Sequence, residues 1–196
     1  MTVSFDDQDR FIVGDISKQI LDHQYIVLRE LAVMAASPNM QAVEIGSWTG
    51  LSAVLIGEVI QRVNGNLYSI DWYKGSTDGA AHLKAATEVF DVPSIFRQNI
   101  EHFKLENTVQ LWIKTSEEAA KEFKDRSLNF IFIDGDHTYE AVKKDINLWY
   151  PKLMKNGIIC GHDYKHNNSA VCLAVDELLP GASNLEDIWW IRRMDD

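Results

Sequence analysis

Five short apolar runs, each ending in a polar turn, constrain this chain more than any other feature. They occupy residues 42–45, 67–70, 109–113, 129–133 and 158–160. An apolar run this short, bounded by turn signals, reads as a strand buried on both faces rather than as one side of an amphipathic ribbon. Strands of that kind belong to parallel sheets covered by helices.

The intervening segments carry the helical period. Leu21, Tyr25, Leu28, Ala32 and Ala35 share one helix face, with Ser17 in position to cap it and Ser37-Pro38-Asn39 to end it. Leu51, Val54, Leu55 and Val59 mark a second helix that closes at Asn64-Gly65. Further helices are expected over 80–90, interrupted by Pro93, over 117–123, and from a Thr138 cap through Val142, Ile146 and Trp149 to Pro151. The last carries Val171, Val175 and Leu178 and stops at Pro180-Gly181. Residues 188–191 form a terminal strand, antiparallel, with a weak partner just before it. Strand and helix alternate with short turns, so the pattern predicts one doubly wound α/β domain over 1–196, with 1–40 as a helical lead-in.

Composition narrows the function classes. The formal net charge is −10, which opposes binding of nucleic acid through phosphate contacts and favours a small-molecule substrate. Lys143-Lys144 and Arg192-Arg193 are the only adjacent basic pairs and read as solvated faces. No apolar run approaches about 18 residues, so no membrane-spanning helix is expected. The acidic start, residues 1–9, lacks the pattern of a secretory signal, and Cys160 and Cys172 suit buried thiols in a reducing cytoplasm. Trp149-Tyr150 and Trp189-Trp190 are read as core packing, with a homo-oligomer interface as the alternative.

The turns after the strands carry the chemistry, because in open parallel sheets ligands bind beyond the carboxyl ends of the strands. The five turns read Gly46-Ser47-Trp48-Thr49-Gly50, Asp71-Trp72, Thr115-Ser116-Glu117, Asp134-Gly135-Asp136-His137 and Gly161-His162-Asp163-Tyr164. The first is not the G-x-G-x-x-G of a dinucleotide fold, and Glu44 just before it would repel a pyrophosphate. It suits a ligand with a positive end, such as the ammonium of a methionyl group. Gly46 and Gly50 permit close backbone approach, while Ser47 and Thr49 offer hydroxyl donors. Asp71, about 20 residues further on, is placed to accept ribose hydroxyls.

The motifs VEIGSWTG (43–50), IDWYKG (70–75), FIDGDHTYEAVKKDI (132–146), NGIICGHDY (156–164) and IWWIRR (188–193) together resemble the class I S-adenosylmethionine-dependent methyltransferases. The likeness is to the small branch of sugar- and antibiotic-tailoring O-methyltransferases, and it covers most of the chain beyond Ala42. It implies a Rossmann-like sheet, mostly parallel with an antiparallel C-terminal strand and helices on both faces. It also implies that Glu44, Gly46 and Ser47 line the methionyl end of S-adenosylmethionine, with Thr49 and Gly50 among the cofactor-binding residues. Asp71 then binds the ribose, Trp72 and Ser116 lie near the adenine, and Asp134 sits beside the cofactor. For Trp72 the alternative is a packing aromatic, and for Ser116 an N-cap of the helix beginning at Glu117.

In metal-using relatives, positions matching Asp134, His162 and Asp163 ligate a divalent cation such as Mg2+. Here His162 departs from the usual acidic or amide residue, and an imidazole shifts preference toward Mn2+, Fe2+ or Zn2+. The alternative is that His162 only hydrogen-bonds a carboxylate. Asp136 and His137 are the candidates for the base that takes a proton from the acceptor, Asp136 preferred and His137 contacting cofactor or substrate. One of the two could instead cap the helix at Thr138. His166 is a candidate for facing the acceptor, and residues 15–18 and 73–79 are candidate lids. The expected activity is methyl transfer to a hydroxyl of a sugar or natural product. The alternatives are a metal-independent N-methyltransferase, a non-catalytic cofactor-binding protein and, disfavoured by the first loop, a nicotinamide-dependent oxidoreductase.

Overall fold

The computed structural model describes residues 22–75, 87–165 and 169–194. Its elements are α1 (Asp22–Ala35), β1 (Gln41–Ile45), α2 (Leu51–Gln61), β2 (Asn66–Asp71), α3 (Val92–His102), β3 (Val109–Ile113), α4 (Ser116–Ala120), β4 (Leu128–Ile133), α5 (Tyr139–Trp149), β5 (Leu153–Gly161), α6 (Ala170–Leu178), β6 (Ser183–Leu185) and β7 (Ile188–Arg192). The strands form a seven-stranded sheet in the order β3-β2-β1-β4-β5-β7-β6. The first five are mutually parallel, and β7 runs antiparallel to both β5 and β6. This is the expected doubly wound sheet, and β6 is the expected weak partner of the terminal strand.

Both faces of the central strands β1 and β4 and of the second half of β5 are buried, which is why these strands read as continuous apolar runs. Along β4, Phe130 and Phe132 face a core shared with Leu28, Leu55 and Phe96 from α1, α2 and α3. Ile131 and Ile133 face the opposite core with Ala119, Ile146 and Val175 from α4, α5 and α6. Trp149 and Trp189 are buried in this second core, so both serve as packing residues. Cys160 and Cys172 are buried free thiols, as expected.

The structure corrects several boundaries. Pro93 does not interrupt a helix; it lies in the first turn of α3, where Asp91 accepts from the Ser94 amide as N-cap. A proline is favoured there because its missing N–H has no partner to lose and its φ is already helical. β5 begins at Leu153, so Gly157 lies inside the strand rather than ahead of it. The helix expected over 117–123 ends at Ala120, and its cap is Thr115, in a reciprocal capping box with Glu118. The Ser17 cap and most of the helix expected over 80–90 lie outside the described residues.

One close approach fixes the layer between β5 and its neighbours. A Cβ built on Gly161 would stand 2.5 Å from the Ile133 carbonyl oxygen and 2.6 Å from the Trp189 ring. Neither a ladder carbonyl nor a buried indole can yield. Gly161→Ala is expected to destabilise the chain by about 3 kcal/mol, a loss of roughly 6–12 °C in Tm, as for an overpacked core. Thermal unfolding by circular dichroism checks this; a Tm within 2 °C of wild type, a margin of about 0.5–1 kcal/mol, would show that the layer relaxes.

Candidate active site

Chain order reverses across β1, which pairs with β2 on one side and with β4 on the other. The register places Ile45 opposite both Ile70 and Ile133, so the next residues, Gly46, Asp71 and Asp134, emerge side by side. The Gly46 amide donates to the Ile70 carbonyl at 2.9 Å and the Asp134 amide to the Ile45 carbonyl at 2.8 Å. Gly46 has φ +84°, and a Cβ on it would lie 2.0 Å from the Asp134 carbonyl oxygen. Only glycine allows these two strand ends to meet. Beyond them opens a cavity of about 410 Å3, within the size range of small-ligand sites. Its lining includes Gly46, Ser47, Thr49, Asp71, Trp72, Ser116, Asp134, Asp136 and His137.

Asp71 anchors the glycine loop. Its Oδ2 accepts the amides of Ser47 and Trp48, each at 3.0 Å, and its Oδ1 accepts the Tyr73 amide at 2.8 Å. Burial raises its pKa above the usual carboxylate value despite these three bonds. Ser47 Oγ and Thr49 Oγ1 are buried and unpartnered, which is costly unless a ligand supplies the missing bonds. Glu44 is fully buried beneath the loop and is not part of the cavity lining. Its Oε2 accepts from Ser69 Oγ at 2.7 Å, while Oε1 has no partner. Burial pushes this carboxyl up to about 7, against the pull of the Ser52 and Ser69 hydroxyls.

At the cavity's far end, Trp72 is 43% exposed and donates from Nε1 to the Gly75 carbonyl at 2.9 Å. Ser116 is not an N-cap, since Thr115 holds that position. Its hydroxyl instead donates to Asp145 Oδ1 at 2.5 Å and accepts from Trp149 Nε1 at 2.8 Å.

On the other side of Asp134 the strand ends bring two carboxylates and two imidazoles together. His162 Nδ1 lies 3.6 Å from Asp134 Oδ1 and 3.3 Å from Asp163 Oδ2. His137 Nε2 lies 3.4 and 3.3 Å from the same two atoms. Lys165 Nζ stands 2.5 Å from Asp163 Oδ1. Burial opposes a charge on His162, but the Asp134 and Asp163 carboxylates outweigh it and push the imidazole up to about 10. The same contacts overcome burial to hold Asp134 and Asp163 below the usual carboxylate range. Asp136 Oδ1 accepts the Thr138 amide at 2.9 Å, so it buttresses the turn, and Thr138 itself caps α5.

Asp134, His162 and Asp163 each offer a ligand atom, all within 4.8 Å of one another. His162 Nε2 meets Gln24 Oε1 at 3.1 Å, which orients Nδ1 toward both carboxylates, the outer bond that a metal-binding imidazole needs. The donor set therefore fits a divalent cation. Gln24, Lys165 and Asp145 were not apparent as site residues from the motifs. For Asp145 the signal was present: an acid on the apolar stripe Val142, Asp145, Ile146, Trp149 of α5. His166, residues 15–18 and most of the loop at 73–79 lie outside the described residues.

Known proteins resemble this chain in sequence and in fold. A family model described as a methyltransferase domain matches residues 43–164, from β1 through the turn after β5. The chain is 26% identical over 172 residues to an uncharacterized protein of Acanthamoeba polyphaga mimivirus, covering 82% of this chain and 71% of that one. It is also 26% identical over 127 residues to an uncharacterized protein of Sinorhizobium fredii, covering 62% of this chain but only 13% of that relative. Among solved structures, the O-methyltransferase TomG from Streptomyces achromogenes, in complex with S-adenosylmethionine, superposes with a TM-score of 0.65 at 11% identity, covering 90% of this chain and 82% of that one. An O-methyltransferase from Bacillus cereus, in complex with S-adenosylhomocysteine, gives 0.62 at 15% identity, covering 90% and 84%. With the fold shared and the family model spanning every strand end that builds the cavity, this chain belongs to the methyltransferase-domain family.

Proposed function

We propose that this chain transfers a methyl group from S-adenosylmethionine to a hydroxyl of a small molecule, a sugar or natural product, with a divalent cation beside the acceptor. The observation that carries the reading is the rim made by Gly46, Asp71 and Asp134, which joins an anchored glycine loop with two orphaned hydroxyls to a cluster of acids and imidazoles. Structural neighbours that are O-methyltransferases holding S-adenosylmethionine or S-adenosylhomocysteine support it.

The cofactor, when bound, supplies a methyl group on a sulfonium, open to in-line displacement. The residues of this chain do the rest. Ser47 and Thr49 offer their free hydroxyls to the methionyl end, and Gly46 and Gly50 let the backbone come close. Glu44 contributes negative charge from beneath the loop, and its unpartnered oxygen becomes less costly once a cation lies above it. Asp71 accepts the ribose hydroxyls, and Trp72 and Ser116 flank the adenine. Asp136, in the turn after β4, takes the acceptor's proton; His137 is drawn toward Asp134 and Asp163 and orients that turn.

Asp134, His162 and Asp163 would hold the cation, which supplies a Lewis acid that lowers the acceptor hydroxyl's pKa. The nitrogen donor favours Mn2+, Fe2+ or Zn2+ over Mg2+. A second reading, metal-independent transfer, is favoured by one observation: His137, His162 and Lys165 already balance the two carboxylates. The buried thiols Cys160 and Cys172 support a reducing, cytoplasmic setting.

Titration calorimetry should show binding of S-adenosylhomocysteine and none of NAD; the reverse result overturns the cofactor assignment. In a methyl-transfer assay over a panel of hydroxyl acceptors, Asp136→Asn should lower kcat by about 10²–10⁴ with cofactor affinity preserved. Near-normal turnover would remove Asp136 as the base. Chelation followed by Mn2+ or Mg2+ decides between the two metal readings: activity untouched by chelator selects the metal-independent one.

Glu44 gives a prediction of opposite signs for stability and binding. Its pKa near 7 in the folded chain, against 4.5 for the free group, means that the stability it contributes is full below about 4.5 and is lost as pH rises through about 7. Glu44→Gln should therefore melt higher than wild type at pH 8, by at most roughly 3 kcal/mol, with the gap shrinking toward pH 5. The same variant should bind S-adenosylhomocysteine several-fold more weakly, for the loss of a negative charge lying beneath the ammonium rather than touching it. A variant whose stability falls with pH as steeply as wild type would place the penalty elsewhere.

A further inference from the structure

Asp145 is an anomaly in α5. The buried stripe of this helix is Val142, Asp145, Ile146 and Trp149, and a carboxylate among those apolar neighbours is expensive unless its oxygens find donors. One does: Oδ1 accepts from Ser116 Oγ at 2.5 Å, and Ser116 is itself fixed by Trp149 Nε1 at 2.8 Å. Among the described residues, Ser116 is the only side chain that donates to this carboxylate. Lys144, next in sequence, directs its ammonium to Glu117 Oε1 at 2.7 Å. The other oxygen, Oδ2, is on the Gly135 side, 3.9 Å from where a Cβ on that residue would be, and Asp145 is part of the cavity wall. A relay of indole, hydroxyl and carboxylate thus holds Asp145 in the cavity wall, and its second oxygen has no donor facing it among the described residues.

The position of that atom says what it meets. Asp145 and Ser116 close the cavity where α4, following β3, packs against α5, following β4. With the ribose at Asp71 and the methionyl end at Ser47 and Thr49, this corner receives the base. Burial pushes the Asp145 carboxyl up to about 6, which still leaves it mostly ionised at neutral pH and able only to accept hydrogen bonds. Adenine carries an amine at C6 with two N–H donors; a 6-oxopurine carries a carbonyl there and would set oxygen against oxygen.

We propose that Asp145, oriented by Ser116 and Trp149, accepts a hydrogen bond from the exocyclic amine of the cofactor's adenine and thereby rejects 6-oxopurine analogues. The assignment rests on the S-adenosylmethionine reading, and it makes Asp145 the residue that sets nucleobase specificity. Sites built to hydrogen-bond one polar group reject analogues lacking it far more strongly than apolar pockets reject a change of size.

The relay also fixes what a substitution does. In Asp145→Asn the Ser116 hydroxyl still needs an acceptor, so it selects the introduced carbonyl oxygen. The amide NH2 is then left facing the cavity, a donor where wild type has an acceptor. The test is calorimetric titration of wild type and Asp145→Asn with S-adenosylhomocysteine and with its deaminated analogue, S-inosylhomocysteine.

Wild type should bind the adenosyl compound at least about thirtyfold more tightly, for one lost hydrogen bond plus oxygen–oxygen repulsion. In Asp145→Asn the adenosyl compound should weaken about tenfold and the inosyl compound should tighten, so that the preference collapses or inverts. The wild-type ratio alone is decisive if the variant does not fold: a ratio below about three, under 1 kcal/mol, overturns the proposal. So does a folded variant with an unchanged ratio, which would leave Asp145 as a packing acid between α4 and α5. If wild type binds neither compound, the cofactor reading falls and this one with it, an outcome distinct from tight adenosyl binding without discrimination.

Discussion

The parallel register across β1 is the constraint on which the rest of the molecule depends. Because Ile45 stands opposite Ile70 on one side and Ile133 on the other, three consecutive strand ends open onto a single crevice. That alignment requires a residue without a Cβ at position 46, since the Asp134 carbonyl occupies the space a side chain would take. The glycine loop can then fold back so that two of its amides reach Asp71. Slip the pairing by one residue and every inward side chain turns to the opposite face. The core and the cavity are therefore specified by the same ladder of hydrogen bonds.

The rim concentrates acids in a chain that is already strongly acidic, and each is stabilised differently. Asp71 is held by backbone amides, which cost no countercharge. Asp134 and Asp163 face two imidazoles and an ammonium, so their charge is balanced within the fold. Asp145 leans on a hydroxyl that is itself anchored by an indole. Glu44 has the poorest provision: total burial, two serine hydroxyls and one unpartnered oxygen. The environments run from amide-rich around Asp71 to ionic around Asp134 and Asp163, so each acid of the rim is held by different chemistry.

Much of this was legible in the residues because the signals are local. A strand buried on both faces must be a short apolar run, a helix with one dry face must repeat at 3.6 residues, and Thr138 announces the start of α5 by its chemistry. The failures were local signals with two meanings. Pro93 either ends a helix or begins one, and only the Asp91 cap with Ser94 shows that it begins α3. Thr115 and Ser116 are both competent caps, and the reciprocal bond with Glu118 selects Thr115, which frees Ser116 for Asp145. Gln24 was not legible at all, since its bond to His162 joins residues 138 positions apart and no pattern near either residue encodes it.

Asp71 and the Asp134, His162 and Asp163 cluster also differ in how much would change on binding a ligand. The carboxylate of Asp71 is already engaged by the amides of Ser47, Trp48 and Tyr73, and the Tyr73 hydroxyl is bonded to the Trp48 carbonyl at 3.0 Å. A carboxylate offers about four acceptor directions, so ligand hydroxyls would add to these bonds or replace some of them without leaving a buried charge bare. At the Asp134, His162 and Asp163 cluster the two carboxylates, at 3.6 and 3.3 Å, favour a proton on the His162 imidazole, and a divalent cation there would have to displace it. Those separations are long for charge-assisted hydrogen bonds, which close to about 2.7–2.9 Å. The imidazolium therefore gains less from its carboxylates than a well-formed ion pair would, and metal concentration and pH together would decide any exchange of that proton for a divalent cation.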